Sequence, residues 1–230
     1  MITRYTGRIA TGAVAVAAGL AVLSPMAHAA DPAAGPAKPA KLTVASYTKY
    51  LKTQNTPEAK QTLKKFGALN NKQKAVFLKD LQDRKIYKAL LGAANGKVGK
   101  PVNITDRYNK EVSFVVKGSS LVAKDKKRTV TARFSVTEKI FNIPVTTETI
   151  SISVPTAGKG PRLASAKAEV KNVNAAIKIT NNRVSVKGRA AQTFWTATPQ
   201  VSSFGKKPVF KKEHILAGNV TFRASLTNND

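Results

Sequence analysis

From about residue 100 onward, apolar and polar residues alternate along the chain with a period of two. The segments "RTVTARFSV", "TISISV" and "NVTFRASL" each place their apolar residues at every second position. Because successive side chains of a β-strand point to opposite faces, each segment predicts a strand with one buried face and one polar face. This pattern is typical of antiparallel sheets, which can leave one face to the solvent.

About eight segments of this kind follow one another without a helical segment between them. They are "EVSFVVK", "RTVTARFSV", "TISISV", "LASAKAEV", "AAIKI", "RVSVKG", "TFWTA" and "NVTFRASL". The succession predicts an antiparallel β-sandwich of about eight strands over residues 100–230, with an open barrel as the second alternative. Asn181-Asn182, between "AAIKI" and "RVSVKG", predicts a two-residue turn that joins these two strands in a hairpin.

Over residues 42–95 the apolar residues recur with the period of a helix instead. Thr56 followed by Pro57 is a typical helix start, and Asn71 and Asp83 are candidate N-caps of two further helices. The segment predicts three or four short helices that pack as a small basic bundle. The chain as a whole is therefore expected to be of the α+β class, with a domain boundary near residue 100.

The N-terminal segment has the order of parts found in a secretion signal. An uncharged apolar stretch, Ile9–Leu23, follows two arginines and precedes a small-residue cleavage pattern at residues 27–29. The stretch is shorter than the roughly 20 residues that a bilayer span needs. We expect residues 1–29 to be a cleaved signal peptide, and the Pro- and Ala-rich residues 30–41 to be a disordered linker.

The chain contains no cysteine. A secreted protein without disulfides depends on its hydrophobic core, and about 200 residues are enough to build one. The lack of cysteine favours bacterial over animal secretion. We expect the mature protein to be extracellular, either free or associated with the cell wall, and not inserted in a membrane.

The charge of the chain is strongly positive, since 39 Lys and Arg stand against 12 Asp and Glu, a formal net charge of +27. Lysines outnumber arginines 29 to 10. Lysine is a mobile point charge, whereas arginine carries the rigid fork suited to reading base edges, so the excess favours diffuse attraction to a polyanion. The alternative is that the charge serves solubility alone.

The cations of the predicted hairpin form the candidate binding surface. The proposed anion-binding patch consists of Lys178, Arg183, Lys187 and Arg189, together with Arg133 on the polar face of another strand. In the predicted hairpin register no cation lies directly opposite another, so this face can be basic without the worst cross-strand repulsion.

One aromatic pair could add to such a patch. Phe194 and Trp195 are neighbours, so on a strand they point to opposite faces. If Trp195 is the outward member, its ring would offer a contact surface for a sugar or nucleotide in a basic field. If the other layer covers that side, both rings belong to the core.

Residue types that carry catalysis or bind metals are scarce. Cleavage of the signal would leave His214 as the single histidine, which excludes thiolate and multi-histidine zinc sites. Phosphate-binding glycine loops, calcium loops and nucleophile elbows are absent from the sequence. The carboxylates are spread along the chain, and no spacing indicates a catalytic pair. We expect no metal, no cofactor and no enzymatic activity.

These features predict a secreted, non-enzymatic binding or adaptor protein. Its lysine-rich surface would be attracted to an anionic partner, namely a cell-wall polymer, a nucleic acid or an acidic protein. The alternative is a secreted interaction protein of competition or defence, such as a toxin subunit or a protease inhibitor. For that alternative, "NIPVTTE" at residues 142–148 is a candidate exposed loop.

Overall fold

The computed structural model describes residues 39–123, 128–157 and 164–229. The chain divides into two units, residues 1–37 and 38–230, and all described residues belong to the second. The expected signal peptide and most of the expected linker therefore lie outside the described residues.

The described part begins with four short helices, α1 to α4. They are Val44–Thr53, Pro57–Gly67, Asn71–Leu81 and Arg84–Ala89. A polar side chain caps each helix by accepting a hydrogen bond from a backbone N–H of the first turn. The predicted caps Thr56 and Asp83 are confirmed, whereas α3 is capped by Asn70 instead of Asn71. No helix in this part of the chain is long and apolar enough to cross a membrane.

Eleven strands follow within the described residues, β1 to β11. They are Gly92–Lys97, Val102–Arg107, Val112–Val122, Val130–Ile140, Ile143–Val154, Ser165–Asn172, Ile177–Asn181, Ser185–Lys187, Ala190–Pro199, Val209–Ala217 and Thr221–Asn228. They form two antiparallel sheets. The six-stranded sheet has the order β1-β11-β10-β9-β7, with β8 also paired to β9, and the five-stranded sheet has the order β2-β3-β4-β5-β6.

The protein is thus mostly antiparallel sheet with a few helices, as the α+β class predicts. The eight predicted strand segments are present, and three further strands were not predicted. The segments of β1 and β2, "GAANGK" and "VNITDR", carry little apolar alternation. In β10, charged residues occupy inward positions, so its sequence does not alternate between apolar and polar residues.

The predicted hairpin at Asn181-Asn182 is wrong. β7 pairs with the C-terminal half of β9 and β8 pairs with its N-terminal half, so the two are successive segments of one sheet edge. The two-residue turn lies instead between β8 and β9, where Gly188 has a φ of +59°. Such a backbone conformation favours glycine, and two asparagines without glycine specify the turn less strongly.

The segment "NIPVTTE" is a buried strand and not an exposed loop. The chain reverses at Phe141 and Asn142, whose φ values are +50° and +58°, and β5 begins at the next residue. Two successive positive φ values are the geometry of a tight hairpin turn, so no room for a loop remains. Val145 and Glu148 are buried in this strand.

One hydrophobic core joins the helices to both sheets. Tyr47 of α1 packs edge-on against Phe66 of α2, with ring centroids 5.1 Å apart. The Tyr47 hydroxyl donates a hydrogen bond to the carbonyl oxygen of Val173, next to β6, at 3.1 Å. The change from helix to strand lies earlier than the predicted boundary near residue 100, between Ala89 and Gly92, and residues 38–230 form one compact unit.

The two sheets approach each other closely at Phe222 of β11. Gly118 of β3 faces this ring, and a Cβ atom there would lie 2.7 Å from the Phe222 ring. β1 and β11 contact β3 here, across the space between the sheets. Glycine at residue 118 therefore allows the ring to fill the core.

The end of the expected linker is ordered against the fold. The backbone N–H groups of Ser202 and Ser203 donate hydrogen bonds to the carbonyl oxygens of Pro39 and Ala40, at 3.0 and 2.9 Å. These two linker residues belong to the folded unit.

Candidate functional site

The outer face of the five-stranded sheet combines cations with hydroxyls. Strand pairing places Ser119, Arg133, Ser151 and Lys167 in one row across the sheet. The next two rows are Lys117, Ser135, Thr149 and Glu169, and Val115, Thr137, Thr147 and Lys171. The alternate residues of the central strands, such as Phe134, Val136 and Ile150, are buried on the inner face. We refer to Lys117, Arg133, Lys139, Lys167 and Lys171 as the cationic sheet face.

A shallow groove of about 410 Å³ crosses this surface. It is lined by four of the five cations and by one carboxylate, Glu169. Hydroxyl groups also line it, from Ser135, Thr137, Thr147 and Thr149. A second groove of about 410 Å³ shares Lys117, Arg133 and Ser135 with the first. The face thus offers an extended surface with charged and hydrogen-bonding groups at regular strand spacing.

Two carboxylates partly neutralise this face. Arg133 Nη2 lies 3.5 Å from Glu169 Oε2, and Lys167 also pairs with Glu169. Lys171 Nζ donates a hydrogen bond to Glu58 Oε1 at 2.5 Å. The hydrogen bonds from Lys167 and Lys171 hold the pKa of Glu169 and of Glu58 below the ordinary value.

Lys117 and Lys139 form no ion pair with any residue of the described ranges. Lys117 is exposed and Lys139 is half-buried. These two positions leave positive charge available to a bound anion.

The patch predicted from the sequence is divided between the two sheets. Arg133 lies on β4 of the five-stranded sheet, whereas Lys178, Arg183 and Lys187 are exposed along the β7–β8 edge of the other sheet. Arg189 is half-buried, and its Nε donates a hydrogen bond to the carbonyl oxygen of Ala217 at 2.6 Å. Arg189 therefore links the β8–β9 turn to the end of β10.

Lys178 connects the edge to the cationic sheet face. Lys178 and Lys171 line one groove of about 500 Å³, where β6 and β7 lie next to each other. Arg183 and Lys187 do not line this groove.

Trp195 does not provide an exposed aromatic surface. Its side chain is completely buried, and its indole Nε1 donates a hydrogen bond to Glu213 Oε2 at 2.9 Å. Thr193, Trp195 and Ala197 are the inward residues of β9, and Phe194 is half-buried on the other side. The prediction of a contact surface at Trp195 is therefore wrong.

Four charged residues of the strands are almost completely buried in the core. Glu138 of β4, Glu148 of β5 and Glu213 of β10 are at most 1% exposed, and Lys211 of β10 is fully buried. We refer to these four residues as the buried carboxyl cluster. β10 contacts both β4 and β5, so the cluster lies between the two sheets.

Hydrogen bonds from the neighbouring helix orient the cluster. The Tyr87 hydroxyl of α4 donates to Glu148 Oε1 at 2.6 Å, and Lys211 Nζ donates to the carbonyl oxygen of Leu90 at 2.6 Å. Lys211 Nζ also lies 4.8 Å from the centre of the Tyr87 ring. One carboxyl oxygen of each glutamate accepts no hydrogen bond.

Burial changes the ionisation of these carboxyls. Loss of hydration raises the pKa of Glu138 to about 8, although the nearby charge of Lys211 opposes the shift. Burial also raises the pKa of Glu148, and raises the pKa of Glu213 well above its ordinary value. The Glu138 carboxyl is therefore mostly protonated at neutral pH.

The alternation of buried and exposed residues along β4, β5 and β10 indicates that these three glutamates point inward. Glu138 lies two residues beyond the buried Val136, Glu148 two residues before Ile150, and Glu213 two residues before Ile215. Extending the apolar alternation of each strand by one step would have placed all three carboxyls inside.

The buried carboxyl cluster is separate from the surface grooves. None of the grooves described above is lined by a member of the buried carboxyl cluster. Within the described ranges, no three His, Cys, Asp or Glu side chains are placed to hold a metal ion. His214 is half-buried on β10, and burial lowers its pKa.

Comparison with protein-family models, with curated proteins and with solved structures reveals no match to this chain.

Proposed function

We propose that this is a secreted, non-enzymatic protein that binds an anionic polymer through the cationic sheet face. The observation that carries the proposal is the groove on this face, where four cations and four hydroxyls accompany a single carboxylate. In the architecture we propose, the two sheets form a β-sandwich on which the four helices pack as a small bundle. The sandwich would hold the outer sheet face open to a large ligand.

The regular spacing of the face suits a ligand with repeating charges. Neighbouring strands lie about 4.8 Å apart, and residues two apart on one strand lie about 6.7 Å apart. Lysine side chains can follow an irregular chain of charges, and serine and threonine hydroxyls donate hydrogen bonds to phosphate oxygens. A linear polymer can contact several of these groups at once.

A cell-wall polymer with phosphate groups fits the face better than a nucleic acid. The side chains that line the two grooves include no aromatic residue, and single-stranded nucleic acids are generally held by base stacking. Only one arginine, Arg133, lies among the five cations, so bidentate recognition of bases has little support. We therefore propose phosphodiester polymers of the cell wall as the partner.

The test is sedimentation of the purified mature protein with isolated Gram-positive cell walls over a series of salt concentrations. We expect strong retention at low salt and release as salt rises, because binding displaces counterions from the polymer. Walls stripped of teichoic acid should retain much less protein. Retention that does not depend on teichoic acid would contradict the proposed partner, and competition by DNA at equal phosphate would favour a nucleic acid.

Matched charge reversals locate the surface. Lys117→Glu with Arg133→Glu changes the sheet face, and Lys178→Glu with Lys187→Glu changes the edge. Lys60→Glu with Lys64→Glu, on the exposed side of α2, alters the net charge by the same amount. We expect the sheet-face pair to lower affinity by about tenfold or more, and the α2 pair to have a small effect. Equal losses of affinity from all three pairs would mean that binding depends on the net charge of the protein and not on a particular surface.

Secretion has an independent test. The chain is expected to be cut before Ala30, after the small residues Ala27 and Ala29 of the cleavage pattern. N-terminal sequencing of the protein recovered outside the producing cells should therefore begin at Ala30. A product that keeps its first 29 residues would contradict the secretion signal.

A further inference from the structure

The lysine of the buried carboxyl cluster faces an asparagine on the neighbouring strand. Lys211 of β10 and Asn228 of β11 are direct partners in the antiparallel register. Lys211 Nζ lies 3.5 Å from Asn228 Oδ1. An amine and a carboxamide held at this separation are within reach of a near-attack arrangement.

We propose that Lys211 and Asn228 form an intramolecular isopeptide bond, with Glu138 as the group that moves the proton. This inference is independent of the polymer binding proposed above. It gives the buried charged residues a chemical role that none of the grooves provides.

The reaction balances without any additional reactant. In the molecules in which Glu138 is ionised, Lys211 first transfers a proton to its carboxylate, and the neutral Nζ then attacks Asn228 Cγ. The carboxyl group of Glu138 gives its proton to Nδ2, and the tetrahedral intermediate collapses as the Cγ–Nδ2 bond breaks. The Glu138 carboxylate then takes the second proton from Nζ, so that the residue ends the reaction protonated. An amide bond between Nζ and Cγ forms, one ammonia leaves, and no atom is oxidised or reduced.

The surroundings favour the neutral reactants. Lys211 and Glu138 are almost completely buried, and a proton transfer between them replaces two desolvated charges by two neutral groups. Lys211 is the strongest charged influence on Glu138, and Glu138 Oε2 accepts no hydrogen bond that would keep it occupied. The Leu90 carbonyl oxygen, 2.6 Å from Nζ, restricts the amine to this part of the core.

Formation of the bond would also remove the buried charge of Lys211. A buried ammonium group requires compensation from its neighbours, whereas an amide carries no charge. The bond would covalently attach β11, near the C-terminal end, to β10. A chain without cysteine cannot obtain such a cross-link from a disulfide.

The decisive measurement is the intact mass of the purified protein after denaturation, compared with the mass calculated from its sequence starting at its determined N-terminus. We expect a mass lower than that of the sequence by one ammonia, and a proteolytic digest should contain a branched peptide that joins Lys211 to Asn228. A mass equal to that of the sequence would overturn the proposal, whatever the behaviour of any variant.

Variants separate the proposed bond from a cyclic imide, which asparagine can also form with loss of ammonia. Lys211→Arg and Asn228→Ala should both abolish the mass deficit, and Glu138→Gln should abolish or greatly slow its formation. Asn229→Ala, at the exposed neighbouring asparagine, is the control and should keep the deficit. A deficit that persists in Lys211→Arg would identify a cyclic imide and overturn the proposal.

Discussion

Individual buried charges have a strong effect on how this protein responds to pH. Glu138 loses its hydration in the core, and for that reason the protonated carboxyl is the preferred form of the folded protein. The unfolded chain has no such preference, since its glutamates are in water. Folding and proton uptake are therefore linked at this residue.

We predict that the protein becomes less stable as pH rises from about 5 to 8. The folded state keeps a proton on Glu138, whose pKa is about 8, while the unfolded state loses it near the ordinary value of 4.5. Stability that is present below the unfolded pKa is thus lost as pH approaches the folded pKa, by on the order of 1 kcal/mol per pH unit. Urea unfolding at several pH values measures this slope.

Glu138→Gln should reduce the slope, because glutamine is neutral at all these pH values, while the raised pKa values of Glu148 and Glu213 maintain the remainder. Glu169→Gln is the matched control, since the pKa of the exposed Glu169 is lowered and the residue is ionised throughout this range in both states. If the isopeptide bond forms, Glu138→Gln also shifts stability by an amount that does not depend on pH, so the slope still reports the titration. An unchanged slope in Glu138→Gln would contradict the assigned ionisation.

At the level of strands and helices, the packing between the sheets depends on the positions of glycine residues. Phe222 of β11 occupies a space that Gly118 of β3 and Gly96 of β1 leave open. Closely packed interiors tolerate little added volume, because neighbouring side chains must leave their preferred rotamers. The same small substitution should therefore have opposite effects at an inner strand position and on an exposed helix.

We predict that Gly118→Ala lowers the free energy of unfolding by about 1–3 kcal/mol, since the new methyl group would lie 2.7 Å from the Phe222 ring. Gly67→Ala, in the exposed last turn of α2, should raise it by up to about 1 kcal/mol, because no atom lies within 4 Å and alanine favours the helix. Chemical denaturation of both variants measures the difference. Equal effects of the two substitutions would contradict the packing at Phe222.

Across the whole molecule, polar contacts join the helices to the sheets in several places. The Asn174 side chain donates a hydrogen bond to the carbonyl oxygen of Leu81 at 2.9 Å, and Arg84 Nη2 donates to that of Pro208 at 2.8 Å. Tyr87 of α4 reaches Glu148 in the core. The helices and sheets therefore depend on one another for a common interior.

We predict that helices and sheets unfold together in one cooperative transition. Far-UV circular dichroism follows the helices, and the fluorescence of Trp195, the single tryptophan of the chain, follows the core of the six-stranded sheet. The two signals should give the same midpoint in urea, because small units with one core unfold in an all-or-none manner. Two separate midpoints would indicate independent helical and sheet domains.

Local patterns account for much of the architecture. The period of two identifies the strands that carry Phe134 and Ile150, and the caps Thr56 and Asp83 mark the starts of α2 and α4. These features depend on residues close together in the chain, namely which side of a strand is apolar and which side chain can accept from a free N–H group. Such information is contained in a single segment.

Strand pairing and the positions of the charged groups depend on contacts between distant segments. Arg133 lies on the five-stranded sheet, whereas Arg183 and Lys187 lie at the edge of the other sheet, and Trp195 is completely buried. Three glutamates from β4, β5 and β10 meet only because the two sheets face each other. A sequence pattern shows which face of a strand is apolar, but the free energy of burying a charge depends on the partners that the other strands bring to it.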